Sequence, residues 1–419
     1  MIGTALAGLI AAVLVLVSLY RRADDHRRDA EDRFTELLAE RGRSELLAER
    51  PQRALVYLAA AYERGRDGPG MRVALAQAAR AMDREQSRVR GHRLDPALHM
   101  KSELLVSSAH GEPARSWRLD GGKLEPVATF AHPGDSERYF LDVSPSGNTV
   151  VSGGHDSRAV RVWDRTGKLL ATSEVTADAL NVDLVAVGSD DLIATRWSNV
   201  VALWDRNARQ LGLLGAVDDR SNQMATDLVF SDDAGRLAVG FRDGLVQLWD
   251  PRARKLIWSH DLRERVVGVS IAGDRLLAAT LSGAVVGFSA RGQVEFRVQA
   301  HSTVFGVSVS PDSTRFATAG AEPSVKIWSA RDGRQLATLA HGKEIYSVRY
   351  SPDGKALVAR TNESVATLWD AERHLVLGRV DAGGELRDVV FAKDSKALVT
   401  SDNVGRIQSW DVRPDSLVS

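Results

Sequence analysis

The feature that most constrains this chain is one short phrase that keeps returning. "VRVWD" (160–164), "VALWD" (201–205), "VQLWD" (246–250), "VKIWS" (325–329), "ATLWD" (366–370) and "IQSWD" (407–411) are close copies, while "RSWRL" (115–119) and "VVGFS" (285–289) are degenerate ones. The aromatic residue falls at 117, 163, 204, 249, 288, 328, 369 and 410, in steps of 39 to 46 residues. A period of that size marks a chain of repeated structural units. Within one unit the sequence reads as short strands and turns: "KEIYSVRY", "SPDG", "KALVAR", "TNES", "VATLWD" and the apolar run "HLVLGRV" (374–380). In "VQLWD", alternation sends Val246 and Leu248 to one face of the strand and Gln247 and Trp249 to the other. Both faces then need cover, which one four-stranded sheet cannot supply. Sheets stacked radially, face against face, supply it, and a closed ring leaves no long open edges.

On these residues the region from about 86 to 411 resembles a WD40 β-propeller. It also carries that family's other markers. A "GH" or "AH" lies upstream of the Trp at His92, His132, His301 and His341, with His260 in "SHD", and "SPSG" (144–147), "SPDS" (310–313) and "SPDG" (351–354) read as turns between first and second strands. The resemblance implies a buried relay of His, a Ser or Thr of the second strand, an Asp of the next turn, and Trp. Its physical purpose is to give a buried indole N–H an acceptor, since leaving it unpaired costs roughly 1 to 3 kcal/mol. The expected relay residues are His92, His132, Ser152, Asp156, Trp163, Trp204, Asp243, Trp249, His301, Trp328, His341, Trp369 and Trp410. The second unit is the fullest. The fourth has no upstream His, the fifth carries Phe288 in place of the indole, and the seventh offers Glu363 for the Asp, so the third to fifth units are expected to be weaker. The eighth unit ends at its Trp strand, and "EQSRVRGH" (85–92) supplies a spare strand at the other end of the repeats. Pairing the two gives an all-β propeller of eight blades, with seven as the alternative.

The N-terminal quarter is different material. "IGTALAGLIAAVLVLVSLY" (2–20) carries no charge and is long enough to read as a transmembrane anchor. Residues 21–84 read as a charged helix with a Phe34, Leu37 and Leu38 stripe, followed by a helical hairpin starting at Pro51. In that hairpin Leu55, Leu58 and Tyr62 recur at i, i+3 and i+7. The hairpin resembles one tetratricopeptide unit and is expected to act as a spacer. The propeller occupies 85–411, and 412–419 is a tail. Arg21, Arg22, Arg27 and Arg28 follow the apolar span, so the expected location is a single pass of the cell inner membrane with the propeller cytoplasmic, the alternative being extracytoplasmic. The layout as a whole resembles the C-terminal halves of bacterial proteins that join a kinase or a STAND-type ATPase to WD40 repeats. That likeness leaves open that a catalytic half belongs to the same protein.

Composition narrows the function. Lys+Arg and Asp+Glu are equal at 55 each, which removes the simple electrostatic case for a nucleic-acid partner. With no cysteine, thiolate catalysis, disulfides and Cys-based zinc sites are excluded. There is no G-x-S-x-G, H-E-x-x-H or P-loop pattern, and a His or Asp repeated around a ring reads as architecture. No catalytic residue, metal or cofactor is expected. The resemblance implies instead a partner-binding face, built by the loops entering each first strand and by the turns between second and third strands. Carried over by position, the face comprises Tyr139, Arg265, Thr303, Phe305, Glu344, Tyr346, Glu385 and Arg387. Aromatic and Arg side chains are what interface hot spots favour. The expectation is therefore a membrane-tethered, non-catalytic scaffold or sensor, monomeric, with protein partners of unknown identity. A propeller that binds a small ligand is a further alternative.

Overall fold

A computed structural model describes the backbone of all residues except 1, 49–50, 83–84, 91–96, 110–111, 133–138, 155–156, 175–181, 183, 198–199, 215–223 and 414–419. Side chains are additionally left undescribed at 2–15, 51–52, 79–82, 90, 97, 109, 139, 157–158 and 197. The chain divides into two compact units, Met1–Asp83 and Arg84–Ser419.

The first unit is helical: α1 Ile2–Leu47, α2 Pro51–Glu63 and α3 Pro69–Met82. α1 is one unbroken helix of 46 residues, with no break where a membrane exit was expected. Among the described residues no helix is long and apolar enough to cross a membrane. The expected anchor covers 2–20, of which the side chains of 2–15 lie outside the described residues, and charges recur in every turn of α1 from Arg21 on. The anchor draws no support from the structure, and the expected single-pass inner-membrane location is corrected: no spanning helix is found among the described residues. The expected apolar stripe is corrected too. Phe34 and Leu37 are exposed and only Leu38 packs inward, while the buried face of α1 runs through Thr35, Ala39, Gly42 and Glu45. On α2 the core positions are Ala54, Leu58 and Ala61, with Leu55 half-buried and Tyr62 exposed. Small residues win because they let the helix axes approach: a Cβ at Gly42 would lie 2.6 Å from Leu58 Cγ. Met71, Ala74 and Ala78 of α3 complete the cluster.

The second unit is an eight-bladed β-propeller of eight four-stranded antiparallel sheets. Seven are sequential meanders, spanning 97–130, 139–174, 184–214, 225–261, 266–299, 304–340 and 347–381. The eighth joins Leu386–Phe391, Ala397–Asp402 and Arg406–Asp411 to an outer strand, Glu85–Arg90, taken from the other end of the repeats. In that closing pair Val89 lies opposite Ile407 and Arg88 opposite Gln408. The seven-bladed alternative is thereby excluded.

Radial stacking is visible in the core. Eight hydrophobic clusters each draw on two neighbouring sheets, from Leu104 with Val143 between blades 1 and 2 round to Leu98 with Val399 between blades 1 and 8. In every seam the repeated aromatic of one blade packs into the cluster shared with the blade before it: Trp163, Trp204, Trp249, Phe288, Trp328, Trp369 and Trp410 in order, with Trp117 against blade 8. An aromatic side chain buries some 150–250 Å², so each one contributes about 4 to 6 kcal/mol before entropy is counted. The phrase recurs because each seam needs one such side chain.

Candidate interaction face

Strands alternate in direction, so each blade presents two turn types to one face of the disc and two to the other. On the entry face, four innermost strands begin with a β-bulge that leaves one residue unpaired: Thr226, Val267, Phe305 and Arg387. A bulge re-aims its side chain and ends regular pairing. Phe305 is 41% exposed, and Tyr346, one residue ahead of the innermost strand of the next blade, is 36% exposed. Their rings stack with centroids 5.2 Å apart and planes 9° from parallel. Burial of Val304 and Ile345, both at or below 1% exposure, anchors the backbone beneath the pair. Tyr346 Oη donates to Glu344 Oε2 at 3.3 Å, and Lys343 pairs with Glu363 alongside. Around the axis from this pair, Arg387 meets Glu385 at 3.2 Å and Arg349 meets Asp388 at 3.4 Å. Arg360 Nη1 reaches the Leu386 carbonyl at 3.4 Å, and burial pulls its pKa down. Arg265 is exposed and Thr303 half-buried. The structure thus brings Phe305, Glu344 and Tyr346 together and places Glu385 and Arg387 one blade further on, with Arg265 in blade 5. The side chain of Tyr139 lies outside the described residues.

Beneath this face run the relays. In blade 6, Trp328 Nε1 donates to Thr318 Oγ1 at 2.9 Å, Thr318 Oγ1 lies 3.0 Å from His301 Nε2, and His301 Nδ1 lies 2.6 Å from Glu322 Oε2. One proton arrangement uses every donor: Thr318 donates to Nε2, and Nδ1–H donates to the carboxylate. Burial lowers the His301 pKa in spite of Glu322, so the imidazole is neutral. Burial works to raise Glu322, but the Ser302 N–H and His301 outweigh it and hold the carboxyl at about 2. Blade 2 repeats the chain with a backbone terminus. Trp163 Nε1 donates to Ser152 Oγ at 2.9 Å, Ser152 Oγ lies 2.7 Å from His132 Nε2, and His132 Nδ1 lies 3.0 Å from the Phe130 carbonyl. Burial, helped by Arg161, brings His132 down to about 4.

Elsewhere the relay is abbreviated. Trp204 donates to Thr195 at 2.7 Å and Trp410 to Thr400 at 2.9 Å. Trp249 finds Gln247 of its own strand at 3.0 Å, while Asp243 caps its turn by accepting from the Leu245 N–H. His341 bonds Thr367 at 3.0 Å, because Ala359 stands where a second-strand hydroxyl would be, and it lies 5.8 Å from Trp369 ring to ring. Phe288 is covered instead by Trp258 at 5.1 Å and His260 at 5.3 Å. His92 and Asp156 lie outside the described residues. Sequence reasoning missed Thr195, Thr318, Thr400 and Glu322. The signal was present for the threonines, each nine or ten residues before its Trp.

Among the described residues no group of three or more His, Asp or Glu side chains is arranged to hold a metal ion. The face offers shape, aromatic surface and paired charges, which is the equipment of recognition.

Four segments, 124–164, 219–250, 292–329 and 333–370, match the family model described as "WD domain, G-beta repeat". Periodic tryptophan protein 2 of Arabidopsis thaliana is 27% identical over 193 residues, covering 44% of this chain and 20% of that protein. Eukaryotic translation initiation factor 3 subunit I of Botryotinia fuckeliana is 24% identical over 235 residues, covering 55% of this chain and 60% of that one. The chain thus spans about a fifth of the first relative and three fifths of the second. Among solved structures, the computationally designed Ika8 protein superposes with a TM-score of 0.66 at 18% identity, covering 78% of this chain and 100% of that one. Chaetomium thermophilum Sqt1, in a structure bound to the N-terminus of the ribosomal protein L10, does so with a TM-score of 0.66 at 15% identity, covering 78% and 99%. These likenesses fix a β-propeller fold, four segments of which match the WD repeat model. None of the proteins just named is a kinase or a STAND ATPase.

Proposed function

We propose that this WD40-repeat propeller is a non-catalytic platform that binds a protein partner on its entry face, centred on the stacked Phe305 and Tyr346. The observation that carries the reading is the pair itself. Two aromatic rings from adjacent blades, Phe305 on a bulged strand entry and Tyr346 just ahead of the next innermost strand, are held parallel in solvent rather than folded into the core. Lone exposed apolar residues are ordinary, but two rigid stacked rings with an acidic neighbour and flanking ion pairs form a pre-ordered anchor, with little side-chain entropy left to lose on binding. The relay histidines and Asp243 are engaged in structural hydrogen bonds, which favours binding over acid–base chemistry at these groups. The similar propeller Sqt1 has been solved with a peptide of another protein on it, a precedent at the level of fold. The likeness to bacterial kinase-linked or STAND-linked proteins draws no support from these relatives, and the reading does not depend on it.

The test compares proteins recovered with a tagged full-length chain and with its Phe305→Ser/Tyr346→Ser variant, quantified by mass spectrometry, with Leu375→Ser, an exposed residue just ahead of an outer strand, as control. The expected outcome is loss of a defined partner set, by tenfold or more, in the double variant alone. Unchanged recovery of every partner retires this face.

A further inference from the structure

Besides the seam it buries against α2 and α3, helix α1 carries a second apolar stripe that those helices leave open. Thr35 is the first buried side chain described along α1, so none from Leu16 to Phe34 is buried. Leu16, Leu19, Phe34 and Leu37 are each more than half exposed, and Ala23 and Ala30 are exposed between them. The Arg64 guanidinium carbon lies 5.6 Å from the Phe34 ring centroid and covers one side of that ring alone. At about 100° per residue the six side chains fall within a sector of about 60°, some 140° round the helix from Thr35, Ala39 and Gly42. Single exposed apolar residues are ordinary, but an ordered stripe along a solvated helix is a face without its cover.

Spacing identifies the cover. The steps along the stripe are 3, 4, 7, 4 and 3 residues, so it reads the same in both directions about a point between His26 and Arg27. A two-fold axis through that point sets two antiparallel copies of α1 in register, Leu16 of one meeting Leu37 of the other, Leu19 meeting Phe34, and Ala23 meeting Ala30. The small alanines let the helices approach near the axis, and the larger side chains interdigitate at both ends.

Charge selects the direction. Residues 21–28 hold four Arg against two Asp, a net +2, while residues 29–36 hold four carboxylates against Arg33, a net −3. An antiparallel pair lays the basic stretch of each copy along the acidic stretch of the other, whereas a parallel pair sets like against like. Each flank of one helix then faces the same flank of its antiparallel partner. Arg22 and Asp29 share one flank, and Asp24 and Arg27 the other, so unlike charges meet on both. Arg33 also nears Arg22 of the second copy, a like-charge contact that Asp29, one turn back, offsets. The pairs that Arg27 makes with Glu31 and Arg28 with Asp24 are exposed, contribute little and are free to exchange.

We propose that the chain forms an antiparallel homodimer through residues 16–37 of α1, in place of the monomer expected from sequence. The interface does not rest on the entry face.

Sedimentation equilibrium of the full chain at micromolar concentration tests it. The parent is expected to dimerise, and Leu19→Glu/Phe34→Glu, which sets carboxylates against each other, to weaken the dimer by about a hundredfold. Both side chains are exposed, so this variant should keep the parental circular dichroism. Because the chain has no cysteine, introduced ones report the direction. Ala23→Cys and Ala30→Cys, mixed and oxidised, should give the mixed disulfide, whereas neither should cross-link alone, its two copies lying about 10 Å apart along the axis. The Phe305→Ser/Tyr346→Ser variant should stay dimeric, which separates this interface from the proposed partner face. A monomeric parent, a dimer that survives Leu19→Glu/Phe34→Glu, or a single cysteine variant that cross-links as readily as the mixture would each overturn the proposal.

Discussion

At the scale of single residues, the relays show how a buried polar group becomes affordable. The indole of Trp163 has one donor, Ser152 turns that donor into another, and His132 passes it to the Phe130 carbonyl, leaving nothing unpaired along the line. This arrangement demands a neutral imidazole, because Nε2 must accept from the serine. A pH dependence follows. His132 falls from its ordinary 6.5 to about 4 in the folded protein, so the unfolded chain binds the proton more readily. Its contribution to stability is complete above pH 6.5 and is lost as the pH falls toward 4. Denaturant midpoints measured from pH 7.5 to 4 should therefore decline, and His132→Phe, though less stable at pH 7.5, should decline less steeply. An identical slope in the two proteins would mean that His132 is not buried neutral.

At the scale of elements, period and polarity decide what a sequence reveals. Strands announced themselves because alternation and the repeated aromatic, an indole in seven blades and Phe288 in the fifth, state the same period-2 arrangement eight times over. The bulges that lift Phe305 and Arg387 out of register left no comparable mark, so their placement came from family position rather than from pattern. Helix faces were harder to read. The eye follows large apolar side chains, Phe34 and Leu37 on α1 and Tyr62 on α2, and those are the exposed ones; the packed seam is made of Ala39, Gly42, Ala54 and Ala61, whose value is their smallness. Apolarity near the N-terminus likewise suggested a membrane span, and no helix long and apolar enough for one is found among the described residues. Gly42 gives the measurable case. Replacing it with Ala gains about 1 kcal/mol of helix propensity, but its Cβ would sit 2.6 Å from Leu58 Cγ and 3.1 Å from the Leu58 backbone nitrogen, an overpacking that costs about 1 to 3 kcal/mol. The second effect wins because backbone cannot swing aside. Hydrogen exchange of α2 amides should accelerate in Gly42→Ala, and adding Leu58→Ala should cost less in that background than in the parent, since the new methyl group occupies part of the vacated space. Additive costs would show that the two residues do not meet.

At the scale of the whole molecule, the ring is held by one joint unlike the other sheets. Seven blades form from neighbouring hairpins, where loop closure is cheap, while blade 8 pairs strands more than 300 residues apart in sequence, Glu85–Arg90 with Arg406–Asp411. Its inner face is reinforced where Asp388 accepts the Leu98 N–H at 3.1 Å, and its core where Val89 and Ile407 meet Leu105 and Trp117. Because its closure joins the strands farthest apart in sequence, stability should be lowest here, and opening should begin with this ladder. Of two successive residues on a strand, one N–H points at the neighbouring strand, so Arg88→Pro/Val89→Pro must remove at least one closing hydrogen bond and distort the rest, at a cost of about 2 kcal/mol or more. The amides of 406–411 and 115–119 should then exchange faster by tenfold or more, while those of 324–329, on the far side of the ring, keep their parental rates. If protection instead falls uniformly around the eight blades, the propeller opens as one cooperative body, and the closing strand pair is no weaker than any hairpin in the wheel.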